Sequence, residues 1–172
     1  MNVLIVPGLG NSGEGHWQTI WEQTRGFERV QQNDWETPVR EDWVARLDEA
    51  VVAAGTEDVV LVGHSLACCT IVNWAAAHPR KIRGALLVAP SDTEADSYPP
   101  GTKGFTPMPL NRLPFRSIAV ASTNDFYVTP ERARQFADAW GSELVVIGPA
   151  GHINVASGFG EWPEGLVLLN QL

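Results

Sequence analysis

The chain predicts an α/β fold, a six-stranded parallel sheet flanked by helices on both faces. Three observations carry this reading. Six short apolar runs stand at residues 2–6, 27–32, 58–62, 84–89, 116–121 and 143–147. Most are separated by stretches whose apolar residues recur at helical spacing. Several runs are continuous and not alternating, as in strands buried on both faces. Strands that alternate with helices place their neighbours in parallel.

The elements follow in order. Asn2-Val3-Leu4-Ile5-Val6 is the first strand. Residues 16–25 set Trp17, Ile20 and Trp21 on one helical face. Residues 40–54 place Trp43, Val44, Leu47, Val51 and Ala54 three and four apart, and Gly55 supplies the stop. The third helix starts at Ser65 and ends near His78-Pro79. The fourth has a defined start, with Thr129 as N-cap, Pro130 at the first helical position and Glu131 in the first turn. A weaker pattern over 161–171 contains Gly165. Residues 91–115 show no convincing period and form a long connection. Two forms fit it: a partial lid whose Phe105, Met108, Leu110 and Leu113 line a pocket, or a Pro-rich wrap on the sheet edge.

The chain of 172 residues, 44% hydrophobic and 19% charged, predicts one domain over 1–172 with material for its own core. A net charge of −8, with scattered acidic residues, argues against nucleic acid and anionic membrane surfaces as partners. Cys68 and Cys69 are adjacent, so on a helix they point about 100° apart and do not bridge. They read as small buried apolar side chains, and no metal-ligand spacing is present. The amino terminus enters a strand with no basic segment before it, and no apolar stretch reaches membrane-spanning length. The expected compartment is the cytoplasm. The seven tryptophans mostly occupy apolar helix faces and read as core.

The chemistry is concentrated in Gly63-His64-Ser65-Leu66-Ala67. An apolar run leads into it and a helical pattern leads out. In that strand–turn–helix context a tight turn lifts a serine hydroxyl clear of the sheet. Small flanking residues let the helix double back on the strand; Gly63 meets that need, and Ala67 stands where glycine is usual.

A serine attacks only if a base takes its proton, and the base is usually a histidine held by a carboxylate. Of four histidines, His64 is on the turn itself and directed elsewhere, His78 sits at a helix end, and His16 opens the first helix. His152, in Pro149-Ala150-Gly151-His152-Ile153, follows the last strand, where small residues let a loop carry an imidazole over the carboxyl edge of the sheet. The acid belongs at a strand end between the two. Asp125, after the fifth strand, is favoured, and Asp92, after the fourth, is its rival. The order Ser65, Asp125, His152 matches one of the three known chain orders for such triads. Oxyanion donors are expected at the backbone N–H groups of Leu66 and of Leu9, the latter in Pro7-Gly8-Leu9-Gly10.

Gly8-Leu9-Gly10-Asn11-Ser12-Gly13 also matches the dinucleotide fingerprint G-x-G-x-x-G, with Asp34 about 20 residues on. The helical pattern, however, begins only around His16, and a nucleotide reading leaves Ser65, Asp125 and His152 without a role.

With these residues in place, the chain resembles the small cap-less serine hydrolases of the retinoblastoma-binding-protein type, within the α/β-hydrolase superfamily. The likeness runs over nearly the whole length. It rests on Val6-Pro7-Gly8 with His16-Trp17, Asp34-Trp35 with Pro38, Gly63-His64-Ser65-Leu66, Ala89-Pro90 with Asp92, Ser122 to Asp125, and Gly151-His152-Ile153-Asn154. The resemblance implies a minimal α/β-hydrolase fold, a Ser65–Asp125–His152 triad and esterase-like hydrolysis without a cofactor. The expected substrate is a small-molecule carboxylic ester, or a small amide. The alternative is a protein-interaction module on a hydrolase fold with little or no turnover.

Overall fold

The computed structural model describes all of residues 1–172. In chain order the elements are β1 (Asn2–Val6), α1 (Trp17–Arg25), β2 (Glu28–Arg29), α2 (Arg40–Ala54), β3 (Val59–His64), α3 (Leu66–Ala77), β4 (Gly84–Val88), β5 (Arg116–Ala121), α4 (Pro130–Trp140), β6 (Glu143–Val146) and α5 (Pro163–Leu169). All six strands are parallel, in the spatial order β2-β1-β3-β4-β5-β6. The chain runs outward from β1 to β2, then crosses back to β3 and proceeds the other way. The order therefore reverses between β1 and β3, and their carboxyl ends open a crevice. Register pairs Val6 with Gly63, His64 with Val88 and Val88 with Val120, so these strand ends share one edge of the sheet.

The continuous apolar strands are explained by a core on each face. Leu4, Val6, Val59, Leu61, Ala85 and Leu87 pack with α2, α3 and α4. Their neighbours Val3, Ile5, Val60, Val62, Leu86 and Val88 pack with α1 and α5 on the other side. Each large side chain so buried contributes roughly 1.5–3 kcal/mol. Six of the seven tryptophans are buried in these cores. No helix is long and apolar enough to cross a membrane.

α2 has the predicted limits, with Gly55 in the left-handed conformation after it, and α4 has the predicted start, with the Thr129 side chain accepting from Arg132 N–H. β2 is shorter than the predicted run over 27–32, because regular pairing with β1 spans only two residues. α5 is shorter than 161–171, since Trp162 at φ 43° sets the chain direction just before Pro163. Residues 91–115 are a wrap. Phe105, Met108 and Leu113 are buried in the α2–α4 core, Lys103 bridges to Val39, and Leu110 is exposed. Of this segment, Ser91, Tyr98 and Pro99 reach the cleft described next.

Candidate active site

Ser65 stands at the end of β3 with φ 59° and ψ −124°, a conformation that L side chains rarely adopt. Its N–H donates to Val88 O at the tip of β4 (3.0 Å), which fixes the turn to the sheet. The turn demands close approach on both sides. A Cβ on Gly63 would lie 2.7 Å from Ile71 Cδ1, and one on Gly8 would lie 2.7 Å from His64 O and 3.0 Å from Ser65 Cβ. Ala67 is fully buried in the core behind, so Gly63 provides the helix–strand clearance and a methyl is accommodated at 67.

His152 arrives on the loop after β6, held from several directions. Ala150 N–H donates to Ser122 Oγ, Gly151 N–H to Asn124 Oδ1 and His152 N–H to Ser157 Oγ. His64 Nε2–H donates to His152 O (2.8 Å), and Trp17 Nε1–H to Ile153 O (2.9 Å). The imidazole ring then lies with Nε2 2.8 Å from Ser65 Oγ and Nδ1 2.9 Å from both carboxylate oxygens of Asp125. The Asp125 side chain is fully buried, and its Oδ1 also accepts Tyr127 N–H (2.9 Å). A carboxylate only accepts, so Nδ1 carries the ring proton and Nε2 presents a lone pair to Ser65. The rival Asp92 is held elsewhere, 3.0 Å from the Arg132 guanidinium.

Two further histidines flank this chain. His16 caps α1, its Nδ1 accepting Gln18 N–H (3.2 Å). Burial, the Arg29 charge and His152 pull its pKa down to about 4. His64 is likewise held well below the ordinary histidine range, first by burial and then by His152 and His16. Both rings are therefore neutral near pH 7. The ring of His78, by contrast, lies at the end of α3 against Trp74 and Asp48, away from the site.

A cleft of about 190 Å³ opens above Ser65, lined among others by Leu9, His16, Tyr98, Tyr127 and Asn154. Leu66 N–H is the first of α3, with no acceptor in its own helix. Leu9 lines the cleft from the loop after β1, next to Gly8, and its N–H makes no backbone hydrogen bond. The arrangement can move a proton from a hydroxyl to an imidazole. No group of three His, Cys, Asp or Glu side chains is placed to hold a metal ion. Cys68 and Cys69 are buried free thiols, raised in pKa by that burial.

One contact was not expected from the sequence. Ser91 Oγ lies 2.9 Å from Ser65 Oγ. Its signal was position alone, since Ala89-Pro90-Ser91-Asp92 leaves the strand next to β3 at the same edge.

Comparison with known proteins places these features in context. A family model described as serine hydrolase matches residues 3–171. Among solved structures, a YdeN-like hydrolase from Pectobacterium atrosepticum is 32% identical, covers 99% of this chain and 89% of its own, and superposes with a TM-score of 0.86. The ydeN gene product of Bacillus subtilis is 19% identical over 99% of this chain and 97% of its own, with a TM-score of 0.73. The carboxylesterase CesB of Bacillus subtilis shares the fold at 15% identity and a TM-score of 0.65, over 98% and 82% of the two chains. No curated protein matches the chain.

Proposed function

The chain belongs to the serine hydrolase family, and from that premise we propose that it cleaves small carboxylic esters, and small amides more slowly, through an acyl-enzyme on Ser65. The observation that carries this reading is the unbroken path from Ser65 Oγ through His152 to the buried Asp125, at 2.8 and 2.9 Å. Ser65 Oγ attacks the acyl carbon while His152 Nε2 takes its proton. Asp125 holds the imidazole in the tautomer with Nδ1 protonated and stabilises the imidazolium that forms. The oxyanion is received by the N–H groups of Leu9 and Leu66, each worth about 3 kcal/mol in the transition state. His152 returns its proton to the departing alkoxide, and a water then repeats the sequence to release the acid.

The size of the cleft favours short acyl groups. Burial of His16 and His64 keeps them neutral, so neither adds a positive charge beside the imidazolium of His152. Turnover of p-nitrophenyl acetate tests the reading. The wild type releases nitrophenolate catalytically and Ser65→Ala does not; an inert, folded wild type would overturn it.

A further inference from the structure

A second hydroxyl touches the nucleophile oxygen. Ser91 lies just past β4 and is fully buried, with its Oγ 2.9 Å from Ser65 Oγ. Neighbouring contacts fix its place: its carbonyl accepts the Cys69 thiol of α3 (3.3 Å), and Asp92 N–H donates to Tyr127 O (2.9 Å). Counting protons gives the direction of the bond. Asp125 accepts a hydrogen bond from Nδ1–H of His152, Nε2 accepts one from the single O–H of Ser65, and Ser91 is left as the donor to Ser65 Oγ.

We propose that Ser91 is a catalytic donor for the second half of the reaction, stabilising Ser65 Oγ as the leaving group when the acyl-enzyme is hydrolysed. This rests on the Ser65 acyl-enzyme reading above. In that step His152 Nε2 takes a proton from water as the water oxygen bonds to the acyl carbon, and the carbonyl electron pair moves to the oxyanion. The oxyanion pair then re-forms the C=O bond. The C–Oγ bond breaks, its electrons go to Ser65 Oγ, and His152 Nε2 gives that oxygen a proton. The acid leaves with charge and protons balanced.

The hydrogen bond from Ser91 changes strength along this path. An ester oxygen is a poor acceptor, but Oγ gains negative charge as it departs. An interaction stronger in the transition state than in the ground state accelerates the step. In acylation the bond is already present on the free hydroxyl of Ser65, so its effect largely cancels. The gain in deacylation is on the order of tenfold, as for one neutral hydrogen bond.

The test uses the whole chain and its Ser91→Ala variant with p-nitrophenyl acetate. Acid-quenched samples are analysed by mass spectrometry for acetyl on Ser65, and fluorophosphonate labelling rates are measured in parallel. The variant should label at close to the wild-type rate, accumulate acetyl-enzyme and lose it on the order of tenfold more slowly. It should show a burst of nitrophenolate, with kcat and KM falling together and kcat/KM retained. Equal acetyl-enzyme decay in the two proteins overturns the role. So does labelling that slows along with decay, since that marks a structural loss. If wild-type Ser65 never carries acetyl, the ester reading itself fails, and that outcome is distinct from the other two.

Discussion

Both carboxylate oxygens of Asp125 lie 2.9 Å from Nδ1 of His152. Asp92, the other acid at a neighbouring strand end, faces Arg132 instead. If Asp125 orients the imidazole, Asp125→Asn should lower ester turnover by ~10⁴ by placing the wrong tautomer on His152. Asp92→Asn should keep most turnover and cost about 1 kcal/mol through its ion pair with Arg132. That loss corresponds to a fall in Tm of roughly 2–4 °C. Reversal of the two activity effects would assign the acid to Asp92.

The backbone at Ser65 gives a prediction about stability. Its φ of 59° stores strain in any residue with a Cβ. Ser65→Ala and Ser65→Gly both remove the hydroxyl and its contacts, and differ chiefly in that strain. Ser65→Gly should therefore melt several degrees above Ser65→Ala, a gap of about 1–3 kcal/mol. Equal melting temperatures would show that the turn is unstrained.

Much of this was legible in the sequence, for identifiable reasons. The limits of α2 were readable because Val44, Leu47 and Val51 repeat at helical spacing and Gly55 closes the helix. Ser65, Asp125 and His152 could be singled out because each follows an apolar run at a strand end, and the structure brings the three side chains together. Residues 91–115 were not readable. Phe105, Met108 and Leu113 enter the core from an irregular wrap, and an irregular path has no period to detect. Ser91 was missed because a hydroxyl residue in a loop has no distinguishing spacing, and its partner is 26 residues away.

Gly8 provides a steric test of the oxyanion loop. A Cβ there would meet the backbone carbonyl of His64 at 2.7 Å, which cannot swing aside like a side-chain tip. Gly8→Ala should push the loop bearing Leu9 away from Ser65. Because a displacement of about 1 Å can cost 10²-fold, kcat/KM for an acetyl ester should fall by about that factor in a folded protein. A fully active Gly8→Ala variant would place the oxyanion donor elsewhere.

His16 links stability to pH. Its pKa falls from 6.5 when unfolded to about 4 in the fold, because burial, Arg29 and His152 disfavour its charge. The unfolded chain thus binds a proton that the folded chain does not. The stabilisation is present above pH 6.5 and is lost as pH drops toward about 4. Its size is on the order of 3 kcal/mol. His16→Asn keeps an N-cap acceptor and removes the titration. Tm of the wild type should fall more steeply than that of the variant between these pH values, and parallel curves would contradict the assignment.

Whether Ser65 is an activated nucleophile is read from the site of reaction with a fluorophosphonate probe, mapped by peptide mass spectrometry. The probe forms a covalent bond only with an activated serine. A single adduct is expected on the peptide containing Ser65, absent in Ser65→Ala and strongly slowed in Asp125→Asn. A folded wild-type protein that takes no label at Ser65, or takes it on another serine, would contradict the nucleophile role of Ser65.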